Sequence, residues 1–369
     1  MTKPRVVFVT SLLSPFQVDV ADAVNREGAV EYHVCFTEYF QRERGKHWLV
    51  DLGSRAYIHC ADVRHRPVEW TRKVLDEVTP QVCLCGFYRG AVAEELIRRA
   101  RSGRFALGLW GEQLHPASPP KSWVKEGLLR LAFRSFDFSF AIGDRAYQQY
   151  AGASSASRTH LVPYGEDLGS HLAIERGPAT RPMKFLFSGR LVEQHNIAGL
   201  CAALAAVVRR RSDELSFTVA ARGPEERHLS RAIRKTPALA RAVRYDRDYQ
   251  AWNDRIRPFA ACDVLLYPSH HAGWGLVVPE AMAAGMLVIA SPGVESARYL
   301  ITPGVDGLMI GTRASDIERA IEWCLDHPQR VREMGHRARA ASSRGSAEHV
   351  ARCVSEILPS YVHSEKQKT

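Results

Sequence analysis

Tyr267-Pro268-Ser269-His270-His271-Ala272-Gly273-Trp274-Gly275-Leu276-Val277-Val278-Pro279-Glu280-Ala281-Met282-Ala283-Ala284-Gly285 is the stretch on which the fold turns. The apolar run that leads into it, Val264–Tyr267, has strand length and ends at Pro-Ser. Gly273 and Gly275 then bracket Trp274 in a loop whose backbone can turn tightly or approach a ligand. Pro279 suits the first residue of a helix, where its missing N–H has no partner to lose. Glu280 falls in the first turn, where the helix dipole favours a carboxylate, and it can accept two hydroxyl hydrogen bonds, as a ribose diol would offer. Gly285 ends that helix, and a second apolar run, Leu287–Ala290, follows at once. A short helix wedged between two buried strands implies parallel strands, with functional loops beyond their carboxyl ends.

The same rhythm fills the chain. Strand-length apolar runs occur at Val6–Thr10, Tyr32–Phe36, Tyr57–His59, Val82–Cys85, Phe105–Trp110, Phe138–Ile142 and His160–Val162. They resume at Lys184–Phe187, Leu215–Ala220, Val264–Tyr267, Leu287–Ala290 and Leu308–Ile310. Between them lie helical patterns, such as Ile197, Leu200, Cys201, Leu204 and Val208, or Val92, Ala93, Leu96 and Ile97. Alternating strands and helices define an α/β protein with parallel sheets covered on both faces. A dozen strands exceed one ordinary doubly wound sheet, so two Rossmann-like doubly wound domains facing a cleft are expected. Gly165, Gly169, Gly177, Pro178 and Pro182 crowd a stretch with no apolar period. The expected boundaries are a first domain over 1–165, a linker over 166–182 and a second domain over 183–345.

Composition narrows the class. A chain of 369 residues, 46% hydrophobic and 24% charged, is an ordinary globular mixture with room for two cores. No run of about 18 apolar residues suggests a spanning helix. Val6–Val9 is too short for a signal-peptide core and no small-residue cleavage site follows it, so a cytoplasmic protein is expected. The eight cysteines form no C-x-x-C pair and sit mostly in apolar runs, where a thiol packs as a small hydrophobe rather than joining a disulfide or metal site. Fifty basic residues against 40 acidic ones give net +10. That balance favours anionic partners such as nucleotides or phospholipid surfaces, or reflects an arginine-rich surface. No basic and aromatic motif supports nucleic-acid binding.

Two other loops follow strands of the second half. In Ser188-Gly189-Arg190-Leu191, Gly189 lets the chain turn closely and Arg190 presents a guanidinium suited to a diphosphate. In Ala221-Arg222-Gly223-Pro224, Gly-Pro breaks the strand and opens another helix.

From Ser188 to Leu308 the motifs together resemble the donor domain of GT-B-fold retaining glycosyltransferases of family 4. The matching residues are Ser188-Gly189-Arg190-Leu191, Gly223-Pro224, Pro268-Ser269, Gly273-Trp274-Gly275-Leu276-Val277, Pro279 to Gly285, and Gly304-Val305-Asp306-Gly307-Leu308. In the first half, Ser14-Pro15-Phe16 with Val18, and Val162-Pro163-Tyr164-Gly165, resemble a subset in which a Pro-aromatic turn replaces the glycine-rich acceptor loop. The resemblance implies transfer of a sugar from a nucleotide-diphosphate-sugar to an acceptor, with retention, without a metal and with no cofactor beyond the donor itself. No Asp-x-Asp motif stands in a matching loop. Arg190 would hold the donor diphosphate and Glu280 the ribose. Gly189, Gly223, Gly273, Trp274 and the backbone of Gly275, Leu276 and Val277 would line the donor. The final segment, 346–369, would carry a helix with Val350, Val354, Ile357 and Leu358 back onto the first domain and then fray from His363.

Two positions depart from the family pattern. The first glutamate of its Glu-seven-residues-Glu motif is Ala272 here, and its lysine five positions after the arginine is His195. Losing one charge-assisted contact costs about 1.5–3 kcal/mol. His270 and His271 lie beside Ala272 and could partly substitute. Arg190 and His195 are the expected catalytic groups, stabilising charge on the leaving diphosphate, with His195 protonated when the donor is bound and activity falling as pH rises past its pKa. On the acceptor side, Glu112 and His115 follow the strand Phe105–Trp110 and are candidate contacts to acceptor or sugar, as is His271. Lys121 to Arg134 mixes Lys and Arg with Trp, Leu and Phe at helix spacing. It reads either as a peripheral helix on an anionic inner membrane face, suited to a lipid-linked acceptor, or as a core helix with a basic outer side. Two further classes stay open: a sugar-nucleotide epimerase, and a catalytically silent nucleotide-binding partner.

Overall fold

Val, Leu, Phe and Cys fill the short apolar runs with no polar alternation, so both faces of each strand are buried and helices must cover them. The computed structural model describes residues 2–38, 52–62, 64–114, 122–177, 181–246 and 256–362. The first sheet contains β1 (Arg5–Leu12), β2 (Glu31–Glu38), β3 (Ile58–Cys60), β4 (Val82–Cys85), β5 (Ala106–Glu112), β6 (Phe138–Ile142) and β7 (Thr159–Leu161). The second contains β8 (Met183–Arg190), β9 (Leu215–Arg222), β10 (Val243–Tyr245), β11 (Val264–Tyr267), β12 (Leu287–Ala290) and β13 (Leu308–Met309).

The strand orders are β3-β2-β1-β4-β5-β6-β7 and β10-β9-β8-β11-β12-β13, and the pairings within each sheet are parallel. In each sheet the winding reverses once. The chain moves outward from β1 to β3 and returns to place β4 on the other side of β1. It moves outward from β8 to β10 and returns to place β11 beside β8. The gaps beyond β1/β4 and β8/β11 are therefore topological switch points, where the flanking loops diverge and leave room for a ligand.

Twelve expected strands are present with small shifts at their ends, and β10 is an addition. It is a three-residue edge strand with no fully buried side chain, too short and too exposed to give an apolar run. The helix Ile197–Arg211 buries Ile197, Leu200, Cys201, Leu204 and Val208, the face its spacing implies. All eight cysteines are free and six are buried.

The chain divides into one unit of Met1–Asp167 with Ser346–Thr369 and another of Leu168–Gly345. The helix Ala347–Ile357 thus belongs to the first unit. Ser346 caps it by accepting from the His349 N–H at 3.2 Å, and it packs on the helix Pro15–Glu27. Beyond it, the Tyr361 ring stacks on Phe138 at 4.0 Å and its hydroxyl meets His160 Nε2 at 2.8 Å. The residues from His363 lie outside the described ones.

The 166–182 stretch is not a free linker. Leu168 and His171 are buried. The Arg176 guanidinium donates to the carbonyl oxygens of Cys262 at 2.6 Å, Phe259 at 2.5 Å and Ala284. Gly169 opens a short helix, Gly169–Leu172, within the second unit. A single arginine satisfying three backbone carbonyls leaves no periodic trace in sequence.

The helix Ser122–Phe133 buries Leu129 and Phe133, with Phe133 4.8 Å from Tyr150. Arg130, Leu131 and Arg134 are exposed. Lys121 lies outside the described residues. Among the described residues no helix is long and apolar enough to cross a membrane.

Candidate active site

Gly189 and Arg190 end β8, and His270 to Gly275 follow β11, so the switch point of the second sheet brings together the two loops that sequence singled out. Gly189 has φ +133 and is exposed, with the Tyr267 ring below it: a Cβ there would lie 3.6 Å from Tyr267 Cε2. Arg190 is exposed and in register with Arg222 at the end of β9. Two guanidinium-bearing residues therefore stand side by side at neighbouring strand ends.

The loops are tied to each other. The N–H of His270 donates to the Gln194 carbonyl at 2.8 Å. Asn196 caps the helix Ile197–Arg211 by accepting from the Gly199 N–H at 3.2 Å, and its amide donates to the carbonyls of Pro268 at 3.2 Å and Thr312 at 2.8 Å. One side chain thus holds three loops at the carboxyl edge of the sheet. Asn196 itself has φ +60, a conformation asparagine tolerates better than most residues.

His195 is buried beneath this surface. Its Nδ1 is 2.9 Å from the Arg190 carbonyl oxygen, and the Tyr267 hydroxyl is 3.2 Å from its Nε2. Burial pushes its pKa down to about 4, and the Arg190 charge and His271 push the same way; only the bond to the Arg190 carbonyl opposes them. At neutral pH the ring is uncharged in the free protein. The expectation of a protonated His195 concerns the donor-bound site; nothing local in the sequence marks the position as packed against Tyr267. In the free protein the neutral ring supports the backbone of Arg190.

Gly275, with φ +98, is wedged close to Val294 and Ser296. The Ser296 hydroxyl is within reach of the carbonyls of Trp274 at 2.9 Å and Gly275 at 2.8 Å. Turning these carbonyls toward Ser296 fixes the peptide planes of the loop. Trp274 is buried against Tyr299 at 5.7 Å and acts as a packing anchor, while Gly273 and Leu276 are half-buried. Ala272 is buried in a parallel bridge with Val294, its N–H donating to the Gly293 carbonyl at 2.9 Å. His271 beside it is half-buried and His270 exposed.

The helix expected to open at Pro279 starts at Val277 and ends at Ala283. The apolar run Leu276-Val277-Val278 hid its first turn from periodicity. Glu280 remains in that turn and is buried. Its Oε1 is 3.9 Å from Nε2 of His171, which has no exposed surface and meets Phe259 edge-on at 5.1 Å. No sequence signal connects His171 to Glu280, 109 positions away. Gly223 closes the site from β9: a Cβ there would lie 2.3 Å from the Leu191 carbonyl oxygen.

In the first unit the switch point between β1 and β4 opens a cavity of about 670 Å³. Its lining includes Thr10 of β1, Phe87 and Tyr88 after β4, and Trp110 and Glu112 of β5. Glu112 is exposed, and its carbonyl accepts the Tyr150 hydroxyl at 2.7 Å. His115, the other acceptor-side candidate, lies outside the described residues.

Two Rossmann-like parallel-sheet domains define a GT-B fold. The likeness extends over whole chains. An Anabaena HepE structure in complex with UDP and glucose aligns with a TM-score of 0.72 at 16% identity, over 97% of this chain and all of that one. A glycosyltransferase from Rickettsia africae aligns with a TM-score of 0.75 at 12% identity over the whole of both chains. Residues 174–341, which fall within the second unit, match the model of the glycosyl transferases group 1 family. Among curated relatives, a glycogen synthase of Mycobacterium tuberculosis is 26% identical over 266 residues, 72% of this chain and 61% of the relative. A D-inositol 3-phosphate glycosyltransferase of Gordonia bronchialis is 34% identical over 104 residues, 28% of this chain and 22% of the relative. The chain thus spans between 22% and 61% of the length of these relatives.

Proposed function

We propose that the chain is a retaining glycosyltransferase of the family 4 type, which moves a sugar from a nucleotide-diphosphate-sugar to an acceptor without a metal or further cofactor. The observation that carries this reading is the convergence of Gly189-Arg190, the Gly273–Gly275 loop and buried Glu280 at one switch point, inside the segment that matches the group 1 family. Arg190 supplies a permanent, forked cation where a diphosphate leaving group gains charge. Loop N–H groups, held by the Ser296 and Asn196 bonds, are preorganised to add to it. In this reading Glu280 accepts the ribose diol. The UDP bound by the HepE structure and the glycosyl transfer named for the Gordonia relative support the same donor chemistry.

The acceptor belongs to the first unit in this reading. The exposed Arg130 and Leu131 on the helix Ser122–Phe133, with Arg134 in the turn just after it, support a peripheral position at an anionic inner membrane face with a lipid-linked acceptor. Liposome pull-down tests it: capture by anionic vesicles that survives Arg130→Glu with Arg134→Glu, or is absent in the wild type, rules it out.

A thermal-shift screen against nucleoside diphosphates and their sugars tests the main reading. One nucleotide family stabilises the wild type and not Arg190→Ala, and a matching nucleotide sugar then releases nucleoside diphosphate. Absence of both overturns the proposal. Ala272 favours one second reading, a silent nucleotide-binding partner, whose signature is stabilisation with no release. Interconversion of nucleotide sugars would instead mark an epimerase.

A further inference from the structure

We infer that the cavity at the β1/β4 switch point binds an uncharged, polyhydroxylated ring, with the side-chain carbonyl of Gln17 accepting a hydroxyl of that ligand. This rests on the glycosyltransferase reading and gives its acceptor site a substrate class.

Gln17 sits in the first turn of the helix Pro15–Glu27, directly after β1. Its side chain lines the cavity and the residue is 9% exposed. Its Oε1 is buried and accepts no hydrogen bond among the described residues. A buried acceptor is costly to leave unpaired and is usually satisfied by a protein group, a water or a ligand. The missing partner must be a donor. A sugar hydroxyl donates, whereas an ionised phosphate or carboxylate offers only acceptor oxygens.

The rest of the wall agrees. Phe87, Tyr88, Trp110 and Tyr164 supply apolar faces against which the C–H face of a ring can lie. The Trp110 N–H is already committed to the Val162 carbonyl at 3.2 Å, which fixes that ring in place. Gly86 keeps the floor open, since a Cβ there would crowd the Thr10 hydroxyl at 3.2 Å. The charged groups among the described lining residues are Glu112 and Arg89, one of each sign and both exposed. Arg89 lies over the Tyr88 ring, 5.2 Å from its centroid. An anion site needs an excess of cationic donors, and this wall has none.

Saturation-transfer NMR on the full chain tests the assignment, with and without saturating nucleoside diphosphate. The probes are methyl α-glucopyranoside, myo-inositol, glucose 6-phosphate and myo-inositol 1-phosphate. A neutral ring is expected to bind at least about tenfold more tightly than its phosphate, and Gln17→Met to weaken it roughly tenfold. Tyr88→Ala, at a half-buried position of the wall, should weaken it as well. The inference is overturned by preference for the phosphates, by no neutral ring binding in either condition, or by binding that both substitutions leave unchanged. The nucleoside diphosphate thermal shift is read on the same samples. If it persists while the cavity result fails, only this inference falls; if it is absent as well, the glycosyltransferase reading falls with it.

Discussion

His195 Nδ1 stands 2.9 Å from the carbonyl oxygen of Arg190, and that bond selects the state of the ring. A carbonyl only accepts, so Nδ1 carries the hydrogen and Nε2 is left to accept from the Tyr267 hydroxyl at 3.2 Å. A neutral imidazole satisfies both partners. Burial disfavours a second proton and pushes the pKa from 6.5 to about 4, with the Arg190 charge and His271 pushing the same way.

The sign of the pH effect follows. Above pH 6.5 the ring is neutral in folded and unfolded chains alike and adds no pH dependence. Between 6.5 and 4 the unfolded chain takes up a proton that the folded chain refuses, so stability falls as pH falls. The limit is about 3 kcal/mol by pH 4. Urea unfolding at pH 7.5 and 4.5 should show a larger loss for the wild type than for His195→Gln. Parallel losses would mean that the ring is not held neutral by its surroundings. Transfer activity should have no fall between pH 6 and 8 that His195→Gln removes.

Arg190 and Glu280 should separate on substitution. Arg190 is exposed at a strand end, so Arg190→Ala should move stability by no more than about 0.5 kcal/mol. It should cost a charge-assisted contact to diphosphate, about 1.5–3 kcal/mol, or roughly ten- to a hundredfold in donor affinity. Glu280 is buried beside His171, so Glu280→Ala should lower both melting temperature and nucleotide affinity. Glu280→Gln keeps the shape and one acceptor and should recover more of the stability than of the affinity. Calorimetric titration of nucleoside diphosphate into the three variants checks the split.

The site was legible in sequence where backbone chemistry governs it. Gly189, Gly223, Gly273 and Gly275 announce turns and close approaches, and Arg190 and Glu280 follow strand ends in a pattern that few folds produce. Residues that act from beneath were not legible. Tyr267 looked like the last apolar residue of a strand, and His171 lay in a stretch read as linker. Their roles arise from contacts between segments far apart in the chain, which no local period encodes. Gln17 is the same case in the first unit: an amphipathic helix predicts that it is near the sheet, not that its side-chain carbonyl has no partner among the described residues. Asn196 did carry a signal, as a capping residue immediately before the periodic helix. Its hold on the loops ending at Pro268 and Thr312 did not.

That hold makes Asn196 a target. Asn196→Ala removes a helix cap worth about 1 kcal/mol. It also strands the Pro268 carbonyl within a buried contact, at about 1–3 kcal/mol. The φ of +60 adds strain for alanine. A loss of about 2–4 kcal/mol is expected from these overlapping effects. Donor affinity should fall too, because the loops flanking Arg190 and His270 lose their common anchor. Asn196→Gly relieves the strain without restoring the bonds, so it should regain part of the stability and none of the affinity. Equal affinity for the wild type and both variants would show that the anchor does not order the site.

Two glycines with opposite surroundings offer an internal contrast. At Gly223 an added Cβ would lie 2.3 Å from the Leu191 carbonyl oxygen and 2.9 Å from the Leu191 nitrogen, with backbone on every near side. Both groups are in use: the Leu191 N–H donates to the Arg222 carbonyl at 2.8 Å, and the Leu191 carbonyl accepts from Glu225 at 2.9 Å. Neither can yield without opening the junction of the β8 and β9 loops. Gly223→Ala should therefore cost about 2–4 kcal/mol and weaken nucleotide binding through displaced Arg190 and Arg222. Gly152, near the end of the helix Asp144–Ala153, is exposed with nothing within 4 Å of its added Cβ. Gly152→Ala should raise stability by about 0.5–1 kcal/mol through the smaller entropy of the unfolded chain. Melting curves with and without nucleoside diphosphate compare the two. A Gly223→Ala protein that melts with the wild type and shifts equally with nucleotide would show that the loops beside Arg190 tolerate displacement, and that the approach of β9 to β8 does not shape the donor site.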